Sequence, residues 1–250
     1  MAVLRIATYN IHKGLSQFNR RVTLHDMRHH LQQLHADILF LQEVQGEHEG
    51  HARRFAHWPQ APQHQFLAES LAHRVAYGSN AVYEHGHHGN AILSRFPILD
   101  WENQDISVNR FESRGLLHAQ IQVPSWHEPL HCICVHLNLL GRDRTKQLKA
   151  LRQRIETLVP TDAPLIIAGD FNDWRQQACK VFTEELALRE VFESLHGMPA
   201  RSFPAKLPVL TLDRIYYRGF HIEHAKVHGG LPWSKISDHA PLSATMRRAR

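Results

Sequence analysis

Short apolar runs recur along this chain at a length that suits strands, and each ends on a polar residue. They fall at residues 3–9, 37–41, 91–93, 116–123, 131–137, 165–168, 212–217 and 241–246. Two helical patterns interleave with them. Leu24, Met27, Leu31 and Leu34 follow a Thr23 cap, and Leu148, Leu151, Ile155 and Leu158 repeat that spacing within residues 143–158. Helices with one apolar face must lie on a sheet, and this alternation is too regular for an all-β sandwich. At 250 residues, 43% of them hydrophobic, the chain can bury one large core. The expectation is a single α/β (α+β) domain over residues 1–250 with helices outside β layers. Between Gly46 and Gly89 the texture shifts to His, Gln and Ala with Pro59 and Pro62, which predicts a short helix, a loop and an excursion rather than a linker.

The stretch LIIAGDFNDW at residues 165–174 shows how such runs end: five residues without charge lead straight into Asp170, Asn172 and Asp173. Alone, this reads as a solvated turn. The same ending recurs, however. Asn10 closes IATYN, Glu43 closes DILFLQE, His136 and Asn138 close HCICVHLN, Asp213 sits in TLDRIYY, and Asp238 with His239 precedes APLSATM. Strand ends carrying one chemistry point to a single pocket assembled from distant parts of the chain.

A hard cation such as Mg²⁺ prefers oxygen ligands and takes one or two carboxylates while keeping water and substrate phosphate in its shell. Glu43, supported by Asp170, Asp238 and Asn10, is that kind of inventory. His239 and His136 are suited to bonding a phosphate or moving a proton, and Asp213 to holding His239 in one tautomer.

Composition adds a weaker constraint. Lys plus Arg number 29 against 24 Asp plus Glu, giving +5 with His neutral, and the 22 histidines add charge if phosphate raises their pKa values. This favours a polyanionic partner, either nucleic acid or anionic lipid. Cys132, Cys134 and Cys179 form no disulfide framework, since the number is odd and Cys132 and Cys134 point to one face of a strand. With no signal-peptide pattern and no long apolar segment, a cytoplasmic protein without stable membrane association is expected. The histidine clusters GEHEGH (46–51) and EHGHH (84–88) lack the Cys pair or HExxH helix of a zinc site. Trp233, in GGLPWSKISDH, suits stacking on a base or meeting a lipid, with packing of its loop the favoured expectation.

The ordered set TYNIH (8–12), LQEV (41–44), HGNAILSRFPI (88–98), VHLN (135–138), GDFND (169–173), LDRIY (212–216) and SDHAPL (237–242) resembles the endonuclease/exonuclease/phosphatase superfamily. The resemblance implies a four-layer α/β/β/α sandwich of two mixed sheets. It also implies a phosphodiesterase site at one edge, dependent on Mg²⁺ or Mn²⁺. By position, Glu43 resembles the main metal ligand, with Asn10 and Asp238 around it. Asp170 and Asn172 resemble the pair that orients the attacking water and binds phosphate, while Asp213 and His239 resemble the acid–imidazole pair. His136 follows the DNase I and sphingomyelinase branch, with Asn90 expected to orient it. Arg114 sits where relatives bring a basic residue to substrate, and Asn138 is expected at the substrate as well. Arg144 and Gln147 are expected to brace the helix after VHLN. His12 stands where many relatives have Asp, which puts a second metal site in doubt.

The expected activity is hydrolysis of DNA phosphodiester bonds by metal-assisted water attack. A phospholipid or sphingomyelin phosphodiesterase is the first rival, with the region 55–66 around Trp58 as its membrane-facing candidate. A silent binding protein on the same fold is the second.

Overall fold

The computed structural model describes residues 3–176 and 181–249, so Cys179 lies outside the described residues. The strands are β1 (Val3–Asn10), β2 (Ile38–His48), β3 (Arg74–Tyr83), β4 (Gly86–Ser94), β5 (Ile98–Asp105) and β6 (Gly115–Ile121), then β7 (Leu130–His136), β8 (Leu165–Asp170), β9 (Arg189–Glu190), β10 (Asp213–Arg218), β11 (Phe220–Val227) and β12 (Leu242–Arg248). The helices are α1 (Leu24–Gln33), α2 (Glu49–Arg54), α3 (Gln63–Leu71), α4 (Gly141–Leu158) and α5 (Val191–His196).

Two six-stranded sheets result, in the orders β11-β12-β1-β2-β4-β3 and β5-β6-β7-β8-β10-β9. Both are mixed: β1 with β2 and β7 with β8 run parallel, and the other pairs are antiparallel. Side chains alternate across each strand. Ile6, Phe40 and Ile92 from the first sheet meet Leu117, Cys132, Ile166 and Ile215 from the second in the central core. On the outer faces, α1 and α3 cover the first sheet with Leu24, Met27, Leu31 and Leu67. Leu148, Leu151 and Ile155 of α4 cover the second, each contributing about 1.5–3 kcal/mol through burial. The layering is therefore α/β/β/α, as the family resemblance implies. Cys132 and Cys134 are free thiols buried in the central core.

The excursion holds more structure than its composition suggests: α2, a loop, α3 and the ten-residue strand β3, which returns as a hairpin into β4. Strand β2 also continues past its predicted end at Leu41 to His48. It does so through a bulge in which Gln42 and Glu43 together face β4 between the pairs Leu41↔Ala91 and Val44↔Gly89. Trp233 is buried and meets the Tyr9 ring edge-on at 5.4 Å, so it packs its loop. No described helix is long and apolar enough to cross a membrane.

Candidate active site

The parallel pairs bring the C-terminal ends of β1, β2, β7 and β8 to one edge of the sandwich, where the antiparallel strands β10 and β12 begin. Register does the rest: His136 on β7 and Asp213 on β10 both pair with Asp170 on β8. Three predicted residues thus share one row of the second sheet. The first sheet supplies Asn10 from the end of β1 and Glu43 from the bulge of β2.

Asn10 joins the two sheets. Its Nδ2 donates to Glu43 Oε1 at 3.3 Å and to Asp170 Oδ2 at 3.1 Å, while its Oδ1 accepts from the His12 backbone N–H at 3.1 Å. Asp170 Oδ2 also faces Nε2 of His136 at 3.5 Å and Nε2 of His239 at 3.7 Å. Nδ1 of His239 lies 2.8 Å from Asp213 Oδ2, which also accepts from Ser202 Oγ at 2.5 Å. Ser237 Oγ lies between the Asn10 carbonyl at 2.8 Å and Asp238 Oδ1 at 3.3 Å. Glu43, Asn10, Asp170, His136, His239, Asp213 and Asp238 thereby form one connected group.

These contacts set the charges. Burial opposes protonation of His239, but the Asp213 and Asp170 carboxylates outweigh it and raise its pKa to about 10. It is therefore a cation at neutral pH. His136 is pushed well below its ordinary value by burial, then by the charges of Arg114 and His239, and stays neutral. Burial raises the Asp170 carboxyl, the His239 cation opposes that rise, and the Asp213 carboxylate adds to it. Burial would raise Asp238 too, yet the hydrogen bond from His12 and the charge of His239 leave it lowered. His12 itself is raised, first by that hydrogen bond, with Nδ1 3.2 Å from Asp238 Oδ1. The His12 imidazole therefore sits directly on Asp238.

Four predicted residues play supporting parts in this geometry. Asn172 donates through Nδ2 to the Leu137 carbonyl at 2.8 Å, and its backbone N–H to Asp170 Oδ1 at 3.0 Å, tying β7 to β8. The Asn90 amide donates to the carbonyls of Gly115 at 3.0 Å and Cys134 at 3.4 Å, so it clamps the two sheets together rather than bonding His136. Asn138 Oδ1 accepts from Gln147 Nε2 at 2.9 Å, and its carbonyl from Arg144 Nη1 at 3.1 Å, which is the brace expected of Arg144 and Gln147. Arg114 contacts Glu112 at 3.3 Å, and its charge reaches His136 and His88. Ser202 carries no sequence pattern, being a single serine in a loop, and Ser237, although it opens SDHAPL, shows its role only through its contacts.

The donor set fits a hard cation. Glu43 and Asp238 are carboxylates linked through Asn10 and Ser237, and Oδ1 of Asp213 is buried without a hydrogen-bond donor among the described residues. Ligand atoms of Asp170, Asp213 and His239 also lie within 4.8 Å of one another. Within this trio His239 Nδ1 is taken by Asp213 Oδ2, while its Nε2 faces Asp170 Oδ2 at 3.7 Å, the arrangement of an acid–imidazole pair.

Similarity to known proteins extends over most of the chain. The family model described as "Endonuclease/Exonuclease/phosphatase family" matches residues 7–239. The YbhP protein of Escherichia coli K12 is 45% identical over 243 residues, covering 96% of this chain and 94% of that one. Among solved structures, an endonuclease/exonuclease/phosphatase from Beutenbergia cavernae superposes with a TM-score of 0.76 at 19% identity, over 100% of this chain and 72% of its own. D. rerio TDP2 complexed with single-strand DNA product superposes with a TM-score of 0.73 at 21% identity, over 99% and 100%.

Proposed function

The chain belongs to the endonuclease/exonuclease/phosphatase family, and from that premise we propose that it is a divalent-metal-dependent phosphodiesterase that hydrolyses DNA by attack of water on phosphorus. The observation that carries the reading is the Asp170 carboxylate, held between the Asn10 amide and the His136 and His239 imidazoles with Glu43 one hydrogen bond away.

Glu43 and Asp238, with Asn10 beside them, would hold Mg²⁺ or Mn²⁺, which supplies positive charge to a phosphoryl oxygen as negative charge builds there. Asp170, with its raised pKa, orients the water and takes its proton as the new phosphorus–oxygen bond forms; the bond from phosphorus to the leaving sugar oxygen breaks, and that oxygen takes a proton from solvent. His239, kept cationic and aimed by Asp213, donates a hydrogen bond to a phosphate oxygen. Neutral His136 adds a second donor on the other side. The DNA reading draws support from the basic balance of the chain and from D. rerio TDP2, a structural relative solved with single-strand DNA product.

One observation favours a second reading. Leu139, Leu140, Leu207, Val209 and Leu231 are exposed on loops that open at the catalytic edge, a rim that suits a phospholipid substrate. The test is direct: the purified protein with Mg²⁺ or Mn²⁺ is incubated with labelled single-stranded DNA, duplex DNA, RNA, and choline and inositol lipids. DNA cleavage that is lost in EDTA and in Glu43→Ala is expected. Lipid turnover with no polynucleotide cleavage under either metal rejects the nuclease reading.

A further inference from the structure

Beside the catalytic group, and separate from it, lies a cavity of about 470 Å³ between the end of β2, α2 and the loop before α3. Its walls include Glu47, His48, Glu49, Phe55, Trp58 and Pro62. Phe55 and Trp58 are half-buried, with centroids 6.3 Å apart and planes 24° from parallel, so each leaves apolar ring surface open. His48 and His51 stack at 3.6 Å with planes 7° apart, and the His51 ring meets Trp58 at 4.9 Å. Burial lowers both imidazoles, His51 to about 4, so this stack is uncharged at neutral pH.

The cavity is coupled to the catalytic edge in two ways. Gly46 on its wall lies three residues beyond Glu43 on β2, roughly 10 Å along a strand. Gln63, which follows Pro62, accepts from the Gln45 backbone N–H at 2.9 Å and donates to the Lys13 carbonyl at 2.7 Å. Lys13 directly follows His12, the partner of Asp238. The cavity therefore keeps a fixed position relative to the phosphate-facing residues.

We infer that this cavity is a nucleobase pocket, holding the base of a nucleotide next to the scissile phosphate. Flat aromatic walls stack on any base, and a base has two faces to offer them. The carboxylates decide the polarity of the occupant. Glu49 is paired with Arg53 at 3.2 Å, whereas Glu47 has no ion pair among the described residues and is exposed at the pocket. A carboxylate accepts from the exocyclic amino group of adenine, cytosine or guanine and repels phosphate. The Glu47 carboxylate is a poor partner for an anionic lipid head group, so this pocket and the apolar rim ask for different ligands.

The inference rests on the nucleic-acid reading, and a pair of measurements separates the two. In EDTA, where no turnover occurs, binding of radiolabelled d(ApA) and of deoxyribose 5-phosphate is measured by equilibrium dialysis. The expected result is saturable binding of d(ApA), weakened about tenfold in Trp58→Ala and largely retained in Trp58→Phe, with the base-free sugar phosphate binding equally to all three. No d(ApA) binding, or binding unchanged in Trp58→Ala, overturns the pocket. In Mg²⁺, hydrolysis of bis(p-nitrophenyl) phosphate by the same wild-type sample reports catalysis alone. Its absence with d(ApA) binding intact removes the phosphodiesterase and keeps the pocket.

Discussion

Replacing Glu43 tests whether the catalytic edge is built at the expense of backbone comfort. Glu43 has φ +53°, a left-handed conformation, at a bulge position that glycine often fills. For an L-residue with a side chain the left-handed conformation costs about 1–2 kcal/mol, and asparagine tolerates it better than most. Glu43→Asn and Glu43→Gln both remove the charge, so both relieve repulsion with the Asp170 carboxylate that shares the Asn10 amide. Their difference weighs the backbone contribution, which favours Asn, against the bond from Asn10 that only the longer Gln side chain keeps. Glu43→Asn is expected to be more stable than Glu43→Gln by about 1 kcal/mol, and both to have lost at least about a hundredfold in phosphodiester hydrolysis. Urea unfolding in EDTA reads the difference without linkage to bound metal. Equal midpoints and slopes for the two variants, or a stability order that places Asn below Gln, would refute the strained-bulge account.

Other perturbations follow from the same geometry. Gly169→Ala places a Cβ 2.0 Å from the Val135 carbonyl oxygen at φ +152°, so it is expected to destabilise by about 3 kcal/mol or more in denaturant unfolding. Asp213→Asn removes the charge that keeps His239 protonated; His239, titrated by NMR, is expected to fall below about 10, with turnover reduced roughly a hundredfold. Ser202→Ala is expected to lower turnover about tenfold with KM unchanged, since it removes a bond to a charged acceptor. Glu190, buried under α5, is pushed up to about 7 from 4.5 by burial. A raised carboxyl contributes stability that is fully present below the unfolded pKa and is lost as pH rises through the folded one. The difference in unfolding free energy between wild type and Glu190→Gln should therefore shift against wild type by about 3 kcal/mol between pH 4.5 and pH 7.5.

What the sequence revealed and what it hid divide along a physical line. Every strand anticipated from apolar runs is interior to its sheet, and β3, β5, β9 and β11, which were not anticipated, are the four sheet edges. Interior strands are covered on both faces and read as continuous apolar runs, whereas edge strands such as ILDWENQD carry polar side chains because one side meets solvent. The candidate site was legible for a related reason. Charged and imidazole residues at the ends of buried runs conflict with local burial, and Asp170, Asp213, His136 and His239 stand out as that conflict. Ser202 and Gln63 cause no such conflict, so only their contacts identify them.

Backbone strain sharpens this division. Of the eleven non-glycine residues with positive φ among the described residues, seven lie in other turns and loops, while His12, Lys13, Glu43 and Asn172 flank the site, and Gly169 adopts φ +152° immediately before Asp170. These flanking residues lie in the segments that lead into or out of the catalytic edge. A regular ladder sends alternate side chains to opposite faces, so it can deliver a carboxylate to the rim only where the ladder ends or breaks. At Glu43 the bulge lets Gln42 keep its interior bonds to Thr8 and Cys134 while the next side chain turns toward Asn10. At Gly169 the lack of a side chain admits the Val135 carbonyl, which keeps β7 and β8 in the register that faces His136 with Asp170. These irregularities place the acids and imidazoles together, and a sequence that relaxed them would fold more comfortably around a dispersed site.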